Sequence, residues 1–268
     1  VGLGPGAPEL VTPLASETLT AASDLVGYAP YLARVPERPG QLRHASDNRE
    51  ELARARQALE LAASGKSVAV ASSGDPGVFA MASAVFEAIE AGKPAWRDVE
   101  VTVVPGVSAM LAAAASVGAP LGHDFCVISL SDNLKPWDLV LKRLEAAAAG
   151  DFIIVLYNPA SKARPWQLGE AFRLIAQHRA GSTPVIFAHA VSRPDERIDI
   201  TTLADADAAQ ADMRTLIIIG SSTTKLVTGS NGRRFVYTPR HAELVEPTAR
   251  PAAERDAPFD QEPVEAEV

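Results

Sequence analysis

Apolar and polar positions alternate between two textures along the first 225 residues of the chain. Short runs rich in Val and Ile predict strands, and stretches rich in Ala and Leu with helical spacing lie between them. This alternation is typical of an α/β architecture with mostly parallel sheets. The clearest predicted strands are 68–71, 99–104, 125–130, 152–157, 185–188 and 216–219.

Several helices have recognisable ends in the sequence. Thr12 is predicted to cap a helix whose first residue is Pro13, where the missing N–H costs nothing. Asn48 is predicted to cap a second helix that runs to about residue 63 and stops at Gly65. Apolar residues at helical spacing over 78–89 predict a third helix whose stripe packs in the core.

The organisation of the chain changes twice. Pro120 and Gly122 interrupt the pattern and predict a boundary between an N-terminal lobe, 1–120, and a C-terminal lobe, 121–240. Residues 228–232 predict a turn, and 233–238 predict one further short strand. Residues 241–268, rich in Pro, Ala and Glu, predict a disordered acidic tail.

The charge of the chain argues against nucleic acid and anionic membranes as partners. The formal net charge is −8, of which −5 lies from Arg240 onward, so the body is close to neutral. A body without a basic field does not attract phosphate backbones, although a few local Arg and Lys residues are enough to hold an anionic small molecule.

Cysteine usage and the lack of long apolar runs predict a cytoplasmic protein. Cys126 is the single cysteine, which excludes an internal disulfide and a cysteine-based zinc or iron–sulfur site; it is expected to be a core residue. No uninterrupted apolar run reaches the roughly 18 residues of a membrane helix. The five histidines lack metal-ligand spacing, so no metal site is predicted. Val1 lies directly before a glycine turn, which suggests that the sequence begins inside a first strand.

Three glycine-bearing turns follow predicted strands: Gly2-Leu3-Gly4-Pro5-Gly6, Ser73-Gly74-Asp75-Pro76-Gly77 and Pro105-Gly106-Val107-Ser108-Ala109. Ligands of open parallel sheets bind outside the carboxyl ends of the strands. Glycine there lets backbone N–H and C=O groups approach a ligand without a Cβ atom in the way. Three such turns in one lobe predict a ligand site, although any α/β protein also needs tight turns.

The first turn formally matches the dinucleotide fingerprint, because Gly2, Gly4 and Ala7 have its spacing. In that fingerprint a helix starts at the glycines, whereas here the helix signal comes later, at Thr12 and Pro13. The acidic residue about twenty positions on, Asp24, precedes the next apolar run instead of ending it. A nicotinamide-dependent oxidoreductase is therefore kept only as an alternative.

The motif order of the chain resembles that of the tetrapyrrole methylases. The resemblance is carried by Gly4-Pro5-Gly6 with Thr12-Pro13, Gly27-Tyr28-x-x-Tyr31-Leu32, Ser73-Gly74-Asp75-Pro76 and Val104-Pro105-Gly106-Val107-Ser108-Ala109. Within the family, the segments Ser131-Asp132-Asn133-Leu134-x-Pro136-Trp137, Leu156-Tyr157-Asn158-Pro159, Arg164-Pro165-Trp166-Gln167-Leu168 and Arg193-Pro194-Asp195-Glu196 resemble the precorrin-3B C(17)-methyltransferases.

The resemblance implies a two-lobed tetrapyrrole-methylase-like fold that binds S-adenosylmethionine (SAM) in the cleft between the lobes, usually as a homodimer. It also implies which positions contact SAM. These are Pro5, Ser73, Gly74, Asp75, Val78, Ser108, Ala109, Asn158, Ala190 and Val191.

The substrate implied by the resemblance is a tetrapyrrole with several carboxylates. Lys135, Lys162, Arg164 and Arg193 are candidate donors to those carboxylates, although each alone is also a plausible solvated surface charge. Tyr28 and Tyr31 either lie along the macrocycle edge or pack as part of a lid.

One acidic residue is the candidate acid or base for the reaction. Asp132 follows a predicted strand in a turn that faces the cleft, and a helix cap for the segment near Pro136 is the competing interpretation. Asp75 similarly has an ordinary Asp-Pro turn as its competing interpretation.

The resemblance therefore implies a SAM-dependent C-methyltransferase of cobalamin biosynthesis that methylates a precorrin at C-17 and contracts the ring. Three alternatives stay open. One is a methyltransferase for cobalt-factor III, the cobalt-bound counterpart of the substrate; one is the nicotinamide-dependent oxidoreductase; the third is a non-catalytic tetrapyrrole-binding protein.

Overall fold

A computed structural model describes residues 1–47 and 50–241 of the chain. The described residues form seven α-helices, with bounds α1 Pro13–Ala21, α2 Ala29–Leu32, α3 Glu51–Ala63, α4 Met81–Ala91, α5 Ala109–Val117, α6 Trp137–Ala149 and α7 Gln167–Ile175. They also form eleven strands: β1 Asp24–Tyr28, β2 Leu42–Ser46, β3 Val68–Ala71, β4 Gly118–Ala119, β5 Phe125–Ser129, β6 Ile153–Tyr157, β7 Pro184–His189, β8 Arg197–Thr202, β9 Thr215–Ile219, β10 Lys225–Thr228 and β11 Arg234–Tyr237. Asn48, the predicted helix cap, and residues 242–268 of the predicted tail lie outside the described residues.

The first sheet is parallel, as the sequence predicts. Its strand order is β2-β1-β3, and Leu25 of β1 lies opposite Ala69 of β3. One face packs against α1 through Leu19 and its neighbours, and a second cluster around Leu59 of α3 and Met81 of α4 covers the other face. Helices on both faces of a parallel sheet bury its apolar strands, which explains why β3 was visible as an uninterrupted apolar run.

The second sheet is mixed, so the prediction of mostly parallel sheets is wrong for this half of the molecule. Its order is β5-β6-β9-β7-β8, in which only the β5–β6 pair is parallel and the other three pairs are antiparallel. Strands β7 and β8 are joined by the short connection 190–196, which permits only an antiparallel pair. Strand β9 comes last in this sheet and inserts between β6 and β7, a placement that alternation along the chain does not reveal.

The predicted strand 99–104 is also absent from the structure. Gly2 N–H donates to Val104 O at 3.0 Å, which gives the segment one strand-like bond instead of a ladder. The remaining predicted strands, the turn over 228–232 and the strand near the end are all found within a residue or two. Thr12 caps α1 as expected, since its Oγ1 accepts a hydrogen bond from Ala15 N–H at 3.1 Å.

The second sheet is buried on both faces. Helices α6 and α7 cover one face, where Leu144, Leu156 and Leu168 are fully buried. Helix α5 covers the other face, although it precedes the predicted lobe boundary, and Ala113 packs there with Ile153 and Ile218. The division into lobes at residue 120 stays a proposal, with α5 as a helix of the first segment that packs on the second sheet.

A third, small sheet joins the end of the described chain to its middle. Its order is β10-β11-β4, and Val236 of β11 lies opposite Gly118 of β4. No helix within residues 1–47 and 50–241 combines the length and apolar character that crossing a bilayer requires.

Candidate active site at the junction of the two sheets

The first two glycine turns are held together by their backbones. Gly74 N–H donates to Gly4 O at 2.9 Å, and Gly4 N–H donates to Gly74 O at 3.3 Å. Both residues have positive φ, 63° at Gly4 and 64° at Gly74, a region that L side chains rarely adopt. The glycines are therefore required by the pairing of the turns themselves.

Asp75 connects the second turn to the third. Its Oδ1 accepts from Gly77 N–H at 2.8 Å, and its Oδ2 accepts from Gly106 N–H at 3.0 Å. A Cβ atom on Gly106 would lie 2.3 Å from Gly74 O, so only glycine allows this approach. The turn interpretation of Asp75 thus holds for Oδ1, but the bond to Gly106 also makes Asp75 the link between two turns. Contact of Asp75 with SAM stays a prediction.

Arg34, which sequence reasoning missed, organises the first turn. One of its terminal nitrogens donates to Leu3 O at 2.6 Å and to Gly4 O at 3.0 Å, and the other donates to Ser73 Oγ at 3.3 Å. The guanidinium group thereby gives Leu3 O a donor and adds a second donor to Gly4 O, which also accepts from Gly74 N–H. No local pattern marks this arginine, because its partners in the first turn lie about thirty residues away along the chain.

The predicted SAM contacts Gly74, Ser108 and Ala109 lie side by side. A Cβ atom built on Gly74 would lie 3.8 Å from Ser108 Cα and 3.9 Å from Ala109 N, so this face of the turn is open to ordinary contact. Ser108 begins the approach to α5 and is only 3% exposed. Its hydroxyl faces the Tyr157 side chain and has no further hydrogen-bond partner among the described residues. Val78 follows Gly74 by four residues in the chain and is half-buried.

The second sheet contributes strained turns at the ends of β6 and β7. Asn158 and Ala190 have φ values of 52° and 50°, and Ser192 has 60°. Asn158 Nδ2 donates to Ser129 Oγ at 2.9 Å, and Ala190 N–H donates to Arg214 O at 3.0 Å. Left-handed backbone at non-glycine residues costs about 1–3 kcal/mol each and is typical of functional sites. Val191, between two of them, is buried.

Phe79 is a further residue that the sequence did not single out. It has a φ of 51°, is 52% exposed, and its ring lies edge-on to Tyr157 with centroids 5.6 Å apart. Lys135 Nζ lies 5.9 Å from the centroid of the same ring. Burial lowers the pKa of Lys135, and repulsion from Arg143 lowers it further. Phe79, from the segment before residue 120, thus contacts Tyr157 and Lys135 from the segment after it.

Tyr157 itself ties helix α5 to the end of β6. Met110 N–H donates to Tyr157 Oη at 3.2 Å. Burial raises the pKa of Tyr157, and the hydrogen bonds with Met110 N–H and with the Ser108 side chain oppose that shift. Tyr157 therefore stays protonated at neutral pH and acts as a structural contact beside Ser108.

The predicted substrate residues fall into separate groups. Tyr28 and Tyr31 pack edge to face with centroids 5.2 Å apart, next to the turns of the first sheet. Arg193 Nε donates to Pro5 O at 3.3 Å, which joins a predicted substrate residue to a predicted SAM contact. Lys162 is exposed and makes none of the contacts described at the junction.

Asp132 is paired with Arg164 and does not cap a helix. Arg164 donates from one terminal nitrogen to Ser131 Oγ at 2.7 Å and to Asp132 Oδ1 at 3.4 Å. Helix α6 begins at Trp137 with no side-chain cap, so the competing interpretation of Asp132 as its cap is wrong. The carboxylate instead sits beside a cation in a loop after β5, and a role in proton transfer stays a prediction.

The structure weakens the nicotinamide alternative. A 3₁₀ helix, Pro8–Leu10, follows the first turn, and α1 starts only at Pro13, so no helix N-terminus meets the glycines. Asp24 is 1% exposed, and its carboxylate accepts from Ser23 Oγ at 2.8 Å and pairs with His44 Nε2 at 2.7 Å. A carboxylate that is buried and paired in this way cannot bind a ribose.

Residues at the junction fit a ligand with the chemistry of SAM. The open face of Gly74 suits close backbone approach, the buried Ser108 hydroxyl has bonding capacity left over, and Asn158 offers an amide at the end of β6. These groups come from the three glycine turns and from the second sheet. The arrangement is a polar, backbone-rich site between two α/β units.

Comparison with known proteins confirms the resemblance and the fold. The chain matches the family described as tetrapyrrole (corrin/porphyrin) methylases over residues 1–207. It is 57% identical over 240 residues to a precorrin-3B C(17)-methyltransferase from Sinorhizobium sp, with 90% of this chain and 94% of that relative covered. The solved structure of the methyltransferase CobJ has a TM-score of 0.84 at 50% identity, covering 89% of this chain and 97% of that one.

A more distant solved structure includes a ligand. The uroporphyrin-III C-methyltransferase from Thermus thermophilus, complexed with S-adenyl homocysteine, has a TM-score of 0.61 at 26% identity, covering 82% of this chain and 95% of that one. The family match spans most of the chain, and the Sinorhizobium relative shares more than half of the aligned residues. The chain therefore belongs to the tetrapyrrole methylases.

Proposed function

We propose that the chain is a SAM-dependent C-methyltransferase that methylates precorrin-3B at C-17, with contraction of the ring, in cobalamin biosynthesis. The observation that carries the proposal is the junction itself, where three glycine turns meet the strained ends of β6 and β7. The 57% identity to a precorrin-3B C(17)-methyltransferase over 94% of that relative supports the choice of substrate.

The proposed SAM site consists of Pro5, the turn Ser73-Gly74-Asp75 with Val78, Ser108 and Ala109 from the first segment, and Asn158, Ala190 and Val191 from the second. When bound, SAM supplies a methyl group activated by its sulfonium, so the protein needs no nucleophile of its own. Catalysis by this chain then rests on positioning and on exclusion of water. The paired turns fix the backbone groups, and Phe79 with Tyr157 closes one side of the junction.

The macrocycle is proposed to lie beside Tyr28, Phe79 and Lys135. Phe79 offers an exposed ring, and Lys135 is a cation for substrate carboxylates. Asp132 is proposed to exchange a proton with the macrocycle during methylation and ring contraction. Arg164 fixes the position of its carboxylate. The proposed assembly is a homodimer, which light scattering of the purified protein tests directly.

Product analysis tests the proposed function. The purified protein is incubated with SAM and either precorrin-3B or cobalt-factor III, and the product is identified by mass and absorption. A product one methyl heavier from precorrin-3B supports the proposal, and turnover of cobalt-factor III alone would move the activity to the cobalt-bound route. Thermal protection by NADPH but not by SAM would favour the oxidoreductase, and binding without turnover would favour a carrier.

A further inference from the structure

Two arginines from opposite sides of the junction converge on the first glycine turn. Arg34, just after α2, donates to Leu3 O and Gly4 O, and its contact with Gly6 O is 3.4 Å. Arg193, in the connection between β7 and β8, donates from Nε to Pro5 O at 3.3 Å. Consecutive carbonyls of one turn therefore accept from guanidinium groups of both segments.

The backbone around Arg193 is built for this approach. Arg193 N–H donates to Ala190 O at 3.0 Å, which closes a tight turn containing the left-handed residues Ala190 and Ser192. A Cβ atom on Gly6 would lie 2.4 Å from Ser192 O and 2.7 Å from Arg193 Cγ. Glycine at position 6 and strain at 190 and 192 are both needed to bring the arginine stem onto the first turn.

The two arginines lack an ion-pair partner in the part of the chain that the structure describes. Among the described residues, neither Arg34 nor Arg193 has a carboxylate within ion-pair distance. Burial lowers the pKa of Arg34, and the nearby charge of Arg193 lowers it further. The same two cations oppose the rise that burial causes in the pKa of Tyr31. Two unpaired like charges in a partly buried place cost free energy, and an anion between them would remove that cost.

The two arginines differ in which of their nitrogens are already hydrogen-bonded to the protein. The terminal nitrogens of Arg34 are occupied by the first turn and by Ser73. Within residues 1–47 and 50–241, Arg193 donates from Nε alone, so its two terminal nitrogens remain for a ligand, in the fork geometry that suits a carboxylate.

Building on the proposed function, we infer that Arg193 binds a carboxylate of the ligand and that Arg34 is its positioning residue. Arg34 holds the first turn in place and adds the second positive charge. Two ligands of the proposed reaction have the required chemistry: the macrocycle, through an acetate or propionate side chain, and SAM, through its methionyl carboxylate.

Three probes separate these sources by calorimetric titration. S-adenosylhomocysteine carries the methionyl carboxylate, 5′-methylthioadenosine lacks it, and uroporphyrin III carries only macrocycle carboxylates. The test variants are Arg193→Gln and Arg193→Lys. The matched control is Arg173→Gln, which removes the same charge from an exposed position on α7.

Arg193→Gln is expected to weaken one carboxylate probe about tenfold, or roughly 1.4 kcal/mol, while the affinity for methylthioadenosine stays unchanged. Arg193→Lys should recover part of the loss because it keeps the charge, and Arg173→Gln should change nothing. A loss confined to uroporphyrin assigns the carboxylate to the macrocycle, and a loss confined to S-adenosylhomocysteine assigns it to SAM.

Arg34 requires a readout that separates charge from damage to the turn. Arg34→Met is expected to lower the ratio of carboxylate-probe affinity to methylthioadenosine affinity, and Arg34→Lys should keep that ratio even if both affinities fall. If Arg34 only maintains the turn, the ratio will be unchanged in both variants. That result would show that Arg34 has no part in binding the carboxylate.

Unchanged affinity for both carboxylate probes in folded Arg193→Gln would overturn the inference. If the wild type binds methylthioadenosine but neither carboxylate probe, the inference that Arg193 binds a carboxylate is wrong, while the nucleoside site of the proposed function stands. If the wild type binds none of the three probes, both the carboxylate-binding role of Arg193 and the proposed function are wrong.

Discussion

Gly106 donates its backbone N–H to Asp75 Oδ2 at 3.0 Å, so one carboxylate fixes the distance between two glycine turns. Asp75→Asn leaves one oxygen acceptor for two backbone donors, because the amide nitrogen cannot accept. We expect affinity for S-adenosylhomocysteine to fall about tenfold, about 1.4 kcal/mol, and the free energy of unfolding to fall by about 1–3 kcal/mol. Calorimetry and denaturant unfolding measure the two effects.

Asp207→Asn is the control for Asp75. Asp207 Oδ1 accepts a single bond, from Ala209 N–H at 2.9 Å, and asparagine can keep that bond. The control should therefore bind like the wild type. Wild-type affinity in Asp75→Asn would mean that the spacing of these turns does not matter for the ligand.

Gly74 and Gly40 form a matched pair for the open face of the second turn. Both have positive φ, 64° and 80°, but Gly40 has nothing within 4 Å of its Cβ position and precedes β2, at the end of the first sheet opposite the glycine turns. Alanine at either position should cost about 1–2 kcal/mol of stability. Only Gly74→Ala should also weaken S-adenosylhomocysteine, by about tenfold or more, because its Cβ points toward Ser108 and Ala109. Equal affinities in the two variants would show that this face does not meet the ligand.

Asp132→Asn tests the proposed proton transfer. We expect turnover to fall by about a hundredfold while affinity for S-adenosylhomocysteine is unchanged, since the variant removes charge but little volume. Arg164→Gln separates acid–base chemistry from orientation. If Asp132 serves only to hold Arg164, the two single variants and the double variant will lose the same amount of activity. Turnover of Asp132→Asn within a few-fold of wild type would exclude the residue from the chemistry.

Asp24 predicts a pH dependence of stability. Its pKa lies below the usual value of 3.8 because His44 and Ser23 donate hydrogen bonds to it, against an opposing effect of burial. A depressed pKa means that the ionised carboxylate stabilises the fold above pH 3.8 and that this stabilisation is lost as the pH falls through the folded-state pKa.

Asp24→Asn should lower the free energy of unfolding by about 1.5–3 kcal/mol at pH 7, the range for hydrogen bonds to a charged group. Urea unfolding at several pH values should show this difference shrinking below pH 3.8. Asp98→Asn, at an exposed position, should show no such trend. A difference that is constant from pH 7 to pH 3 would contradict the assignment.

The predictable part of the fold consists of strands whose residues are nearly all apolar. Strands β3, β6 and β9 are nearly continuous apolar runs, so the sequence shows them directly. Strands β2 and β8 lie at sheet edges and carry charged residues such as Arg43 and Asp199, which hides their alternation. Strand order in the second sheet depends on contacts between distant segments, and no local pattern encodes it.

The candidate site likewise contains residues that the sequence predicts and residues that it does not. The glycine turns were predictable because each carries its own backbone requirement. Arg34 and Phe79 were not, because their roles depend on which segments come together. A single arginine after a short helix and a single phenylalanine after a turn have many equivalents in the chain.

The small third sheet determines how the molecule unfolds. Val236 of β11 is fully buried against α5 and the second sheet, and Thr238 Oγ1 donates to Pro120 O at 2.7 Å. The last described strand thus closes over the place where the chain passes between its two halves. A cut near residue 120 would free the apolar face of α5 and leave β11 with β10 but without β4, so neither half retains a complete core. The two sheets should therefore melt in one cooperative transition, and the amide of Thr238, which donates to Ala119 O at 3.1 Å, should exchange with solvent only when the whole molecule opens.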